Sequence, residues 1–298
     1  MQKDDKIYFM EKEIKLIKLY CTICDYYDTT IEAEIQRLSN NFCPKFTDEE
    51  AITIYLWGLA NQKYEMKAMY EFINDYYAGW FPALPKYESF VKRIGFLAPA
   101  FEVLARILVN AQDIDSSLLD HITDSMPIIV AKQSRSGNAK TASEICDKGY
   151  CSSKDMYFYG VKLHSLAAKQ HRSLPKPAML AITPASVSDI TFAKETFHDI
   201  RNIDIYGDKI YNDAEWFEYM HSYNNVNISA PIKLKKGQET LECIDRLYNS
   251  AVSSIRQPIE SFFNWLIEKT RIQYASKVRS ANGLLSFIFA RLASIFLF

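Results

Sequence analysis

The sequence predicts a mixed α/β domain over residues 116–298, preceded by an all-helical domain over residues 1–115. Two observations predict this fold class. Apolar residues follow helical spacing through the first region, and after about residue 115 they gather in short runs rich in β-branched and aromatic residues. Strand-like runs come first there and then alternate with helical stretches, which is typical of a mixed sheet flanked by helices.

Helical signals begin close to the N-terminus. Residues 8–24 carry apolar side chains at helical spacing among lysines and glutamates, namely Ile14, Ile17, Leu19 and Ile23. Thr47 precedes a further apolar stretch and Glu50 stands three residues later, which is the signature of a capping box at a helix start. Pro85 opens another candidate helix, because proline favours the first helical turn.

The predicted N-terminal helices carry basic residues, among them Lys92 and Arg93. Several short helices with basic positions suit a DNA-binding module, because phosphates attract lysine and arginine. A plain helical cap on a neighbouring domain explains the same pattern equally well. The pattern alone therefore leaves both interpretations open.

Five apolar runs after residue 115 predict five strands of one sheet. They occupy residues 122–130, 156–166, 178–183, 203–207 and 226–234. Four stretches between and after them have helical character, at residues 187–198, 213–222, 239–250 and 257–270.

The longest apolar run, residues 284–298, is interrupted by Arg291. It is shorter than the roughly 20 residues that a membrane span needs. We therefore expect no membrane association, and we interpret the run as a core helix or as a helix packed against a partner.

The composition is that of a globular chain with a large core. Of 298 residues, 48% are hydrophobic and 24% are charged, which excludes a disordered or fibrous chain.

The six cysteines are few for this length, and the charged start MQKDDKIYFM does not resemble a signal peptide, so we expect reduced thiols in the cytoplasm. Cys21 and Cys24 have the spacing of a metal knuckle, but no second pair completes four ligands, and a buried helix face is the favoured alternative.

The net charge is −1, so contact with a polyanion requires a local basic surface. Residues 125–185 contain nine basic and three acidic side chains, and residues 269–279 contain four basic residues and no acidic one. Aromatic residues are interleaved with these charges: Tyr150, Tyr157, Phe158, Tyr159 and Tyr274. The pattern fits contact with phosphates and unpaired bases, and it equally fits solvated charged faces.

Three acidic residues stand where the fold alone does not require a charge. Asp124 interrupts the first apolar run, Asp208 follows the strand at 203–207, and Glu260 lies in the first turn of a helix. Carboxylates that share a site repel each other unless a cation such as Mg²⁺ lies between them, and two such ions can support phosphoryl transfer. Each acid also has a structural alternative as a cap, a turn former or a helical ion-pair partner, so spacing leaves the chemistry open.

Several sequence motifs resemble those of the transposases of bacterial insertion sequences. They are DSMPI at 124–128, GYCSSK at 149–154, YFYGVKLH at 157–164, ITPAS at 182–186 with Asp189, GDKIY at 207–211 and IRQPIESFFNW at 255–265. Their combination is most similar to insertion sequence family 982, within the wider DDE group. The specific motifs cover residues 120–283, and the helical N-terminus matches more loosely.

The resemblance implies an RNase H-like catalytic domain with a mixed five-stranded sheet, in which the first and fourth strands are neighbours. It carries the catalytic and metal-binding triad over to Asp124, Asp208 and Glu260. The implied cofactor is a pair of Mg²⁺ ions, for which Mn²⁺ would substitute. Asp189 is the best substitute ligand if one of the three acids is misassigned.

Related enzymes carry a Tyr-Arg-Glu-Lys signature around the last acid. Arg256 matches its arginine, four residues before Glu260. Ser253 and Ile267 stand at the positions of the tyrosine and the lysine. The triad is intact, but the way in which related enzymes hold the bases of the transposon end does not carry over in detail.

The function that the resemblance implies is that of a DNA transposase. Such an enzyme binds the terminal inverted repeats of its element, cleaves a phosphodiester with Mg²⁺ and joins the freed 3′-hydroxyl to target DNA. We expect a homodimer on DNA, because two ends must be brought together, and a cytoplasmic, nucleoid-associated location. The residues expected to contact DNA lie in the basic segments and motifs: Lys92, Arg93, Lys154, Lys162, His164, Lys209, Arg256, Lys269, Arg271, Lys277 and Arg279.

Two other classes of function remain open at this point. One is a metal-dependent DNA nuclease on the same fold that does not transfer strands. The other is a non-catalytic DNA-binding protein, such as an inactive remnant of a transposase. The presence of all three acids favours an active enzyme over the remnant.

Overall fold

The computed structural model describes residues 3–35, 44–115, 117–234 and 237–298. The helices are α1 (Lys3–Tyr26), α2 (Glu32–Glu34), α3 (Asp48–Ala60), α4 (Met66–Tyr77), α5 (Tyr87–Phe96), α6 (Ala98–Asn110), α7 (Gln133–Ser136), α8 (Asp189–Thr196), α9 (Ala214–Asn224), α10 (Cys243–Arg256), α11 (Pro258–Thr270) and α12 (Ala281–Leu297). The strands are β1 (Asp120–Lys132), β2 (Asp147–Cys151), β3 (Met156–Ala168), β4 (Lys176–Pro184), β5 (Asp204–Tyr206) and β6 (Asn227–Ser229). The chain is therefore of the mixed α/β class.

The chain forms two compact units. The first contains Met1–Leu108, Thr270–Ile272 and Val278–Phe298, so helix α12 belongs with the N-terminal helices. The second contains Val109–Lys269 and Gln273–Lys277 and holds the sheet. The domains predicted from the sequence, 1–115 and 116–298, stay a prediction.

Helix α3 is at the centre of the first unit. Its start is fixed by the predicted capping box, in which Glu50 N donates to Thr47 Oγ1 at 3.2 Å and Thr47 N donates to Glu50 Oε2 at 2.8 Å. Every residue from position 51 to position 59 is buried. A helix that is apolar on all sides must be surrounded by other elements, and α3 accordingly contacts α1, α4, α5 and α12.

Helix α1 buries a different face from the one that the sequence predicted. Leu19 and Ile23 are buried, as predicted, and so is Leu16. Ile14 and Ile17, which were also predicted to be buried, are exposed. Apolar residues lie around much of this helix, so their spacing alone does not select one face. Contact with α3 decides which face of α1 is buried.

The described residues include the cysteines Cys21, Cys24, Cys146, Cys151 and Cys243, of which Cys21, Cys24, Cys146 and Cys243 have free thiols. Cys43 lies outside the described residues. Because Cys21 is exposed and Cys24 is half-buried on α1, the interpretation of this pair as a buried helix face is wrong for Cys21.

Arg291 explains how the last apolar run tolerates a charge. Its guanidinium is buried and donates to the carbonyl oxygens of Thr270, Phe287 and Tyr64 at 3.0, 3.2 and 2.9 Å. It also lies 3.6 Å from the centre of the Phe287 ring. Neutral oxygens and an aromatic face thus compensate the desolvated cation. Among the described helices, α12 included, none is long and apolar enough to cross a bilayer.

Within the described part of the chain the sheet has six strands, so the five-strand prediction is one short. Strands β2, β3, β1, β5 and β6 are neighbours in that order, and β4 pairs with β3 beyond the end of β2. Strand β3 is antiparallel to β1, β2 and β4, whereas β1, β5 and β6 run parallel to one another. The missed strand is β2, a five-residue segment with one buried position, which carries too weak an apolar pattern to be recognised.

Candidate active site

Two neighbouring parallel strands position Asp124, which lies within β1, and Asp208, which follows β5. Strand β1 pairs with β5 so that Ile122 lies opposite Tyr206. Asp124 and Asp208 each come two residues later, and parallel strands carry them toward the same edge of the sheet. Side chains pack closely against Gly207, because a Cβ there would lie 3.3 Å from Thr123 Cγ2 and 2.7 Å from the Tyr211 ring.

Arg256 connects Asp124 to Glu260. Its guanidinium lies 2.6 Å from Asp124 Oδ2 through Nη1 and 3.2 Å from Glu260 Oε1 through Nη2. The side chains of Arg256 and Asp124 are only 17% and 20% exposed, whereas that of Glu260 is 59% exposed. Helix α10 ends at Arg256 and α11 starts two residues later. This junction therefore brings Arg256 and Glu260 close to strand β1, which carries Asp124.

Burial raises the pKa of Asp124 from an ordinary value of 3.8 to about 6. This value is a net result: the charges of Asp189 and Asp208 act in the same direction as burial, whereas the Arg256 guanidinium and the Ser125 N–H act in the opposite direction. Asp208 therefore lies near enough to Asp124 to affect its ionisation. Asp124 is therefore half ionised at about pH 6, in a site where carboxylates outnumber the cations that would neutralise them.

Asp189 belongs to the same region, as the sequence had suggested for a substitute ligand. Lys162 Nζ lies 3.0 Å from Asp189 Oδ1 and 2.9 Å from the carbonyl oxygen of Val187. Both side chains of this ion pair are about 15% exposed. Lys162 thus neutralises Asp189, which stands at the start of α8.

His164 is buried next to this ion pair. Its Nε2 lies 2.8 Å from Thr183 Oγ1, its ring stacks on Phe192 with centroids 4.0 Å apart, and its Nδ1 is 3.9 Å from Asp189 Oδ1. Burial lowers the pKa of His164 to about 4. A neutral, enclosed imidazole is unsuited to the phosphate contact predicted for it, and the alternative of a structural histidine at a strand fits its surroundings.

Tyr211 is a residue to which the sequence assigned no role. Its ring is fully buried, its hydroxyl lies 3.4 Å from Thr123 Oγ1, and its pKa is raised well above the usual value by burial and by the charges of Asp189, Asp124 and Asp208. The GDKIY motif contained it, but only the fold shows that the ring packs beneath Gly207 and next to the acids.

A protein-family model described as a transposase DDE domain matches residues 115–297, which is more than half of the chain. The chain belongs to the DDE transposases. No curated protein and no solved structure matches it. The family implies that this transposase acts on DNA, and it is consistent with the insertion-sequence type that the motifs predicted. Membership of insertion sequence family 982 stays a prediction.

DDE transposases generally use divalent metal ions, and the donor atoms near Asp124 have the right chemistry. Carboxylate oxygens are the ligands that Mg²⁺ prefers, and the pKa of Asp124 is raised mainly by burial and to a smaller extent by the charges of Asp189 and Asp208. Among the described residues, no group of three or more acidic, histidine or cysteine side chains is already arranged around a metal position. The guanidinium of Arg256 is bonded to two of the three predicted ligands, Asp124 and Glu260.

The basic residues predicted to contact DNA differ in their availability. The exposed ones are Lys92, Lys154, Lys209, Lys269, Arg271, Lys277 and Arg279. Arg93 is half-buried and lies 2.6 Å from the buried Asp48, so part of its role is structural. Lys162 and Arg256 are held by acids of the candidate site. Contact of any of these residues with DNA stays a prediction.

Proposed function

We propose that the second unit of this transposase is an RNase H-like catalytic domain. The strand order β4–β3–β1–β5–β6 supports this, with three antiparallel strands followed by two that run parallel to β1. The sequence resemblance implies this arrangement, in which the first predicted strand, β1, lies beside the fourth predicted strand, which is β5 in the structure. Strand β2 is then an addition at the edge of that sheet.

In this proposal Asp124, Asp208 and Glu260 hold the divalent ions. The observation that carries it is the shared guanidinium of Arg256, which bonds to both Asp124 and Glu260 while Asp208 raises the pKa of Asp124. Bound Mg²⁺ or Mn²⁺ supplies Lewis-acid stabilisation of the phosphodiester and activates the attacking water or 3′-hydroxyl.

The chain's own residues perform the binding and positioning. Asp124 is ionised at pH 7 because its pKa is about 6, so it is a hard anionic ligand at physiological pH. Arg256 keeps Asp124 and Glu260 together and presents a cation at the place where a phosphate must bind. The exposed lysines and arginines track the DNA backbone, and the helices of the first unit recognise the inverted repeats of the element.

The reaction proposed is cleavage at the ends of the element followed by strand transfer of the 3′-hydroxyl into target DNA. A homodimer that holds both ends is part of the same proposal. The test is the variant Asp208→Ala, assayed for Mg²⁺-dependent cleavage of labelled transposon-end DNA and for DNA binding. We expect cleavage to be lost and binding to be kept.

Asp204→Ala is the matched control. Asp204 lies four residues before Asp208, at the start of β5, and its carboxylate accepts a hydrogen bond from Asn227 Nδ2 at 2.7 Å. This variant should cleave like the wild type. Cleavage by Asp208→Ala at the wild-type rate would refute the assignment of the site.

A joining assay separates strand transfer from simple nuclease activity. A pre-cut end with a free 3′-hydroxyl is incubated with supercoiled target DNA, Mg²⁺ and the wild-type protein. Joined products support the transposase reaction. Cleavage without joining identifies a nuclease, and binding without cleavage, in Mg²⁺ or Mn²⁺, identifies a catalytically inactive remnant.

A further inference from the structure

Two exposed tyrosines form a pair on the hairpin of β2 and β3. Tyr150 and Tyr157 are directly opposite each other in the antiparallel register, and their ring centroids are 5.0 Å apart. They are 47% and 54% exposed, although tyrosine rings usually bury most of their area. Lys148 Nζ lies 4.8 Å from the centre of the Tyr157 ring. The hairpin thus presents aromatic faces and a cation to solvent.

The same side chains line a cavity of about 460 Å³, within the size range of small-ligand sites. We call it the tyrosine pocket, and its main lining residues are Lys148, Tyr150, Tyr157, Lys162, Ser188 and Ile210.

The tyrosine pocket adjoins the candidate active site. Lys162 lines the pocket and is also the ion-pair partner of Asp189, whose charge raises the pKa of Asp124. Ile210 lines the pocket two residues after Asp208. A ligand in the pocket therefore lies beside the carboxylates rather than on a remote surface.

Gly149 allows the hairpin to form one wall of this pocket. A Cβ at this position would lie 2.3 Å from the carbonyl oxygen of Ala185, so only glycine permits the approach of β2 to the end of β4. Lys148 and Tyr150 flank Gly149 on β2, and this contact holds them in place. The wall is consequently a built feature of the unit rather than a loose turn.

We propose that the tyrosine pocket binds an unpaired nucleobase of the DNA next to the phosphodiester at the candidate active site. The base stacks on Tyr157 and Tyr150, and the ammonium group of Lys148 faces the adjoining phosphate. Aromatic rings beside cations are the features that bind single-stranded DNA without strict sequence preference. This inference rests on the proposed function, because it assigns a position to that substrate.

The test measures binding without catalysis. The probe is a duplex with a short single-stranded overhang that carries 2-aminopurine, titrated with the full chain in EDTA. Stacking quenches 2-aminopurine fluorescence, so the wild type should quench it. Tyr157→Leu keeps an apolar side chain on the hairpin but removes the ring, and it should abolish the quenching and weaken overhang binding about tenfold. Tyr157→Phe should behave like the wild type.

A matched control is available on helix α9. Tyr219 and Tyr223 are also exposed, and their ring centroids are also 5.0 Å apart. Tyr223→Leu should leave both quenching and affinity unchanged. Equal effects of Tyr157→Leu and Tyr223→Leu would overturn the proposal, and so would an equal loss of affinity for a fully paired duplex.

A second variant tests the proposal without removing a tyrosine ring, so that the test still holds if Tyr157→Leu misfolds the hairpin. Lys148→Gln leaves both tyrosine rings in place, and it should reduce the salt dependence of overhang binding by the equivalent of about one phosphate contact. An unchanged salt slope would contradict the proposal. Failure of the pocket proposal can be distinguished from failure of the proposed function. Normal cleavage by the wild type with unchanged quenching in Tyr157→Leu would refute only the pocket. Normal quenching by the wild type with cleavage by Asp208→Ala would refute only the triad.

Discussion

Replacing Asp124 by asparagine should stabilise the folded chain, and the gain should grow as the pH rises. The folded-state pKa of Asp124 is about 6, against an ordinary value of 3.8, because its carboxylate is desolvated and lies near other carboxylates. Such a group contributes its full stability below about pH 4 and loses it as the pH rises through the folded pKa. Asparagine does not ionise and avoids this loss.

The magnitude follows from the two pKa values. The difference between 3.8 and about 6 corresponds to about 3 kcal/mol at pH 7 and to about 0.5 kcal/mol at pH 4. The asparagine carbonyl can still accept the hydrogen bond that Arg256 now donates to Asp124 at 2.6 Å. Because a neutral acceptor binds the guanidinium less strongly, about 3 kcal/mol is the upper limit of the gain.

The assay is urea unfolding of wild type and Asp124→Asn at pH 4, 5, 6 and 7, followed by tryptophan fluorescence. The control is Asp120→Asn on the same strand, whose side chain is 43% exposed and lies 3.7 Å from Lys169. This control should change the free energy of unfolding by less than about 1 kcal/mol at each pH. A destabilised Asp124→Asn at pH 7, or an equal effect at pH 4 and pH 7, would refute desolvation as the cause.

Two further predictions concern packing and are checked by thermal or urea unfolding. Gly149→Ala should destabilise the chain by about 1–3 kcal/mol, because the new methyl group meets the Ala185 carbonyl at 2.3 Å, whereas Gly95→Ala, in open space on α5, should be neutral or stabilising. Arg291→Met should cost about 2–4 kcal/mol, because it removes the guanidinium that donates to three carbonyl oxygens, while Arg106→Met at an exposed site should change stability by less than about 1 kcal/mol. Equal effects within either pair would contradict the packing argument.

The sequence by itself determined the types of most elements. All five predicted strands overlap β1, β3, β4, β5 and β6, and the helical stretches after residue 185 overlap α8 to α11. Local signals sufficed for these elements because periodicity and capping act within a few residues. The capping box at Thr47 is the clearest case, since its donors and acceptors are three residues apart. The motifs also predicted the transposase family that the family match supports.

The motifs predicted Asp124, Asp208 and Glu260 as the triad, which stays a prediction, but they did not reveal how Arg256 links two of these residues. Arg256 and Asp124 are 132 positions apart, and their 2.6 Å contact depends on how α10 packs relative to β1. The pocket formed by Tyr150, Tyr157 and Ile210 depends in the same way on distant segments.

Tertiary structure also decided which apolar residues are buried and where the last helix belongs. Ile14 and Ile17 are exposed because α3 covers another face of α1, and α12 joins the N-terminal helices rather than the sheet. The physical reason is common to these cases. Spacing along the chain limits which faces a segment can bury, whereas the partner that buries them is chosen by contacts between residues far apart in sequence.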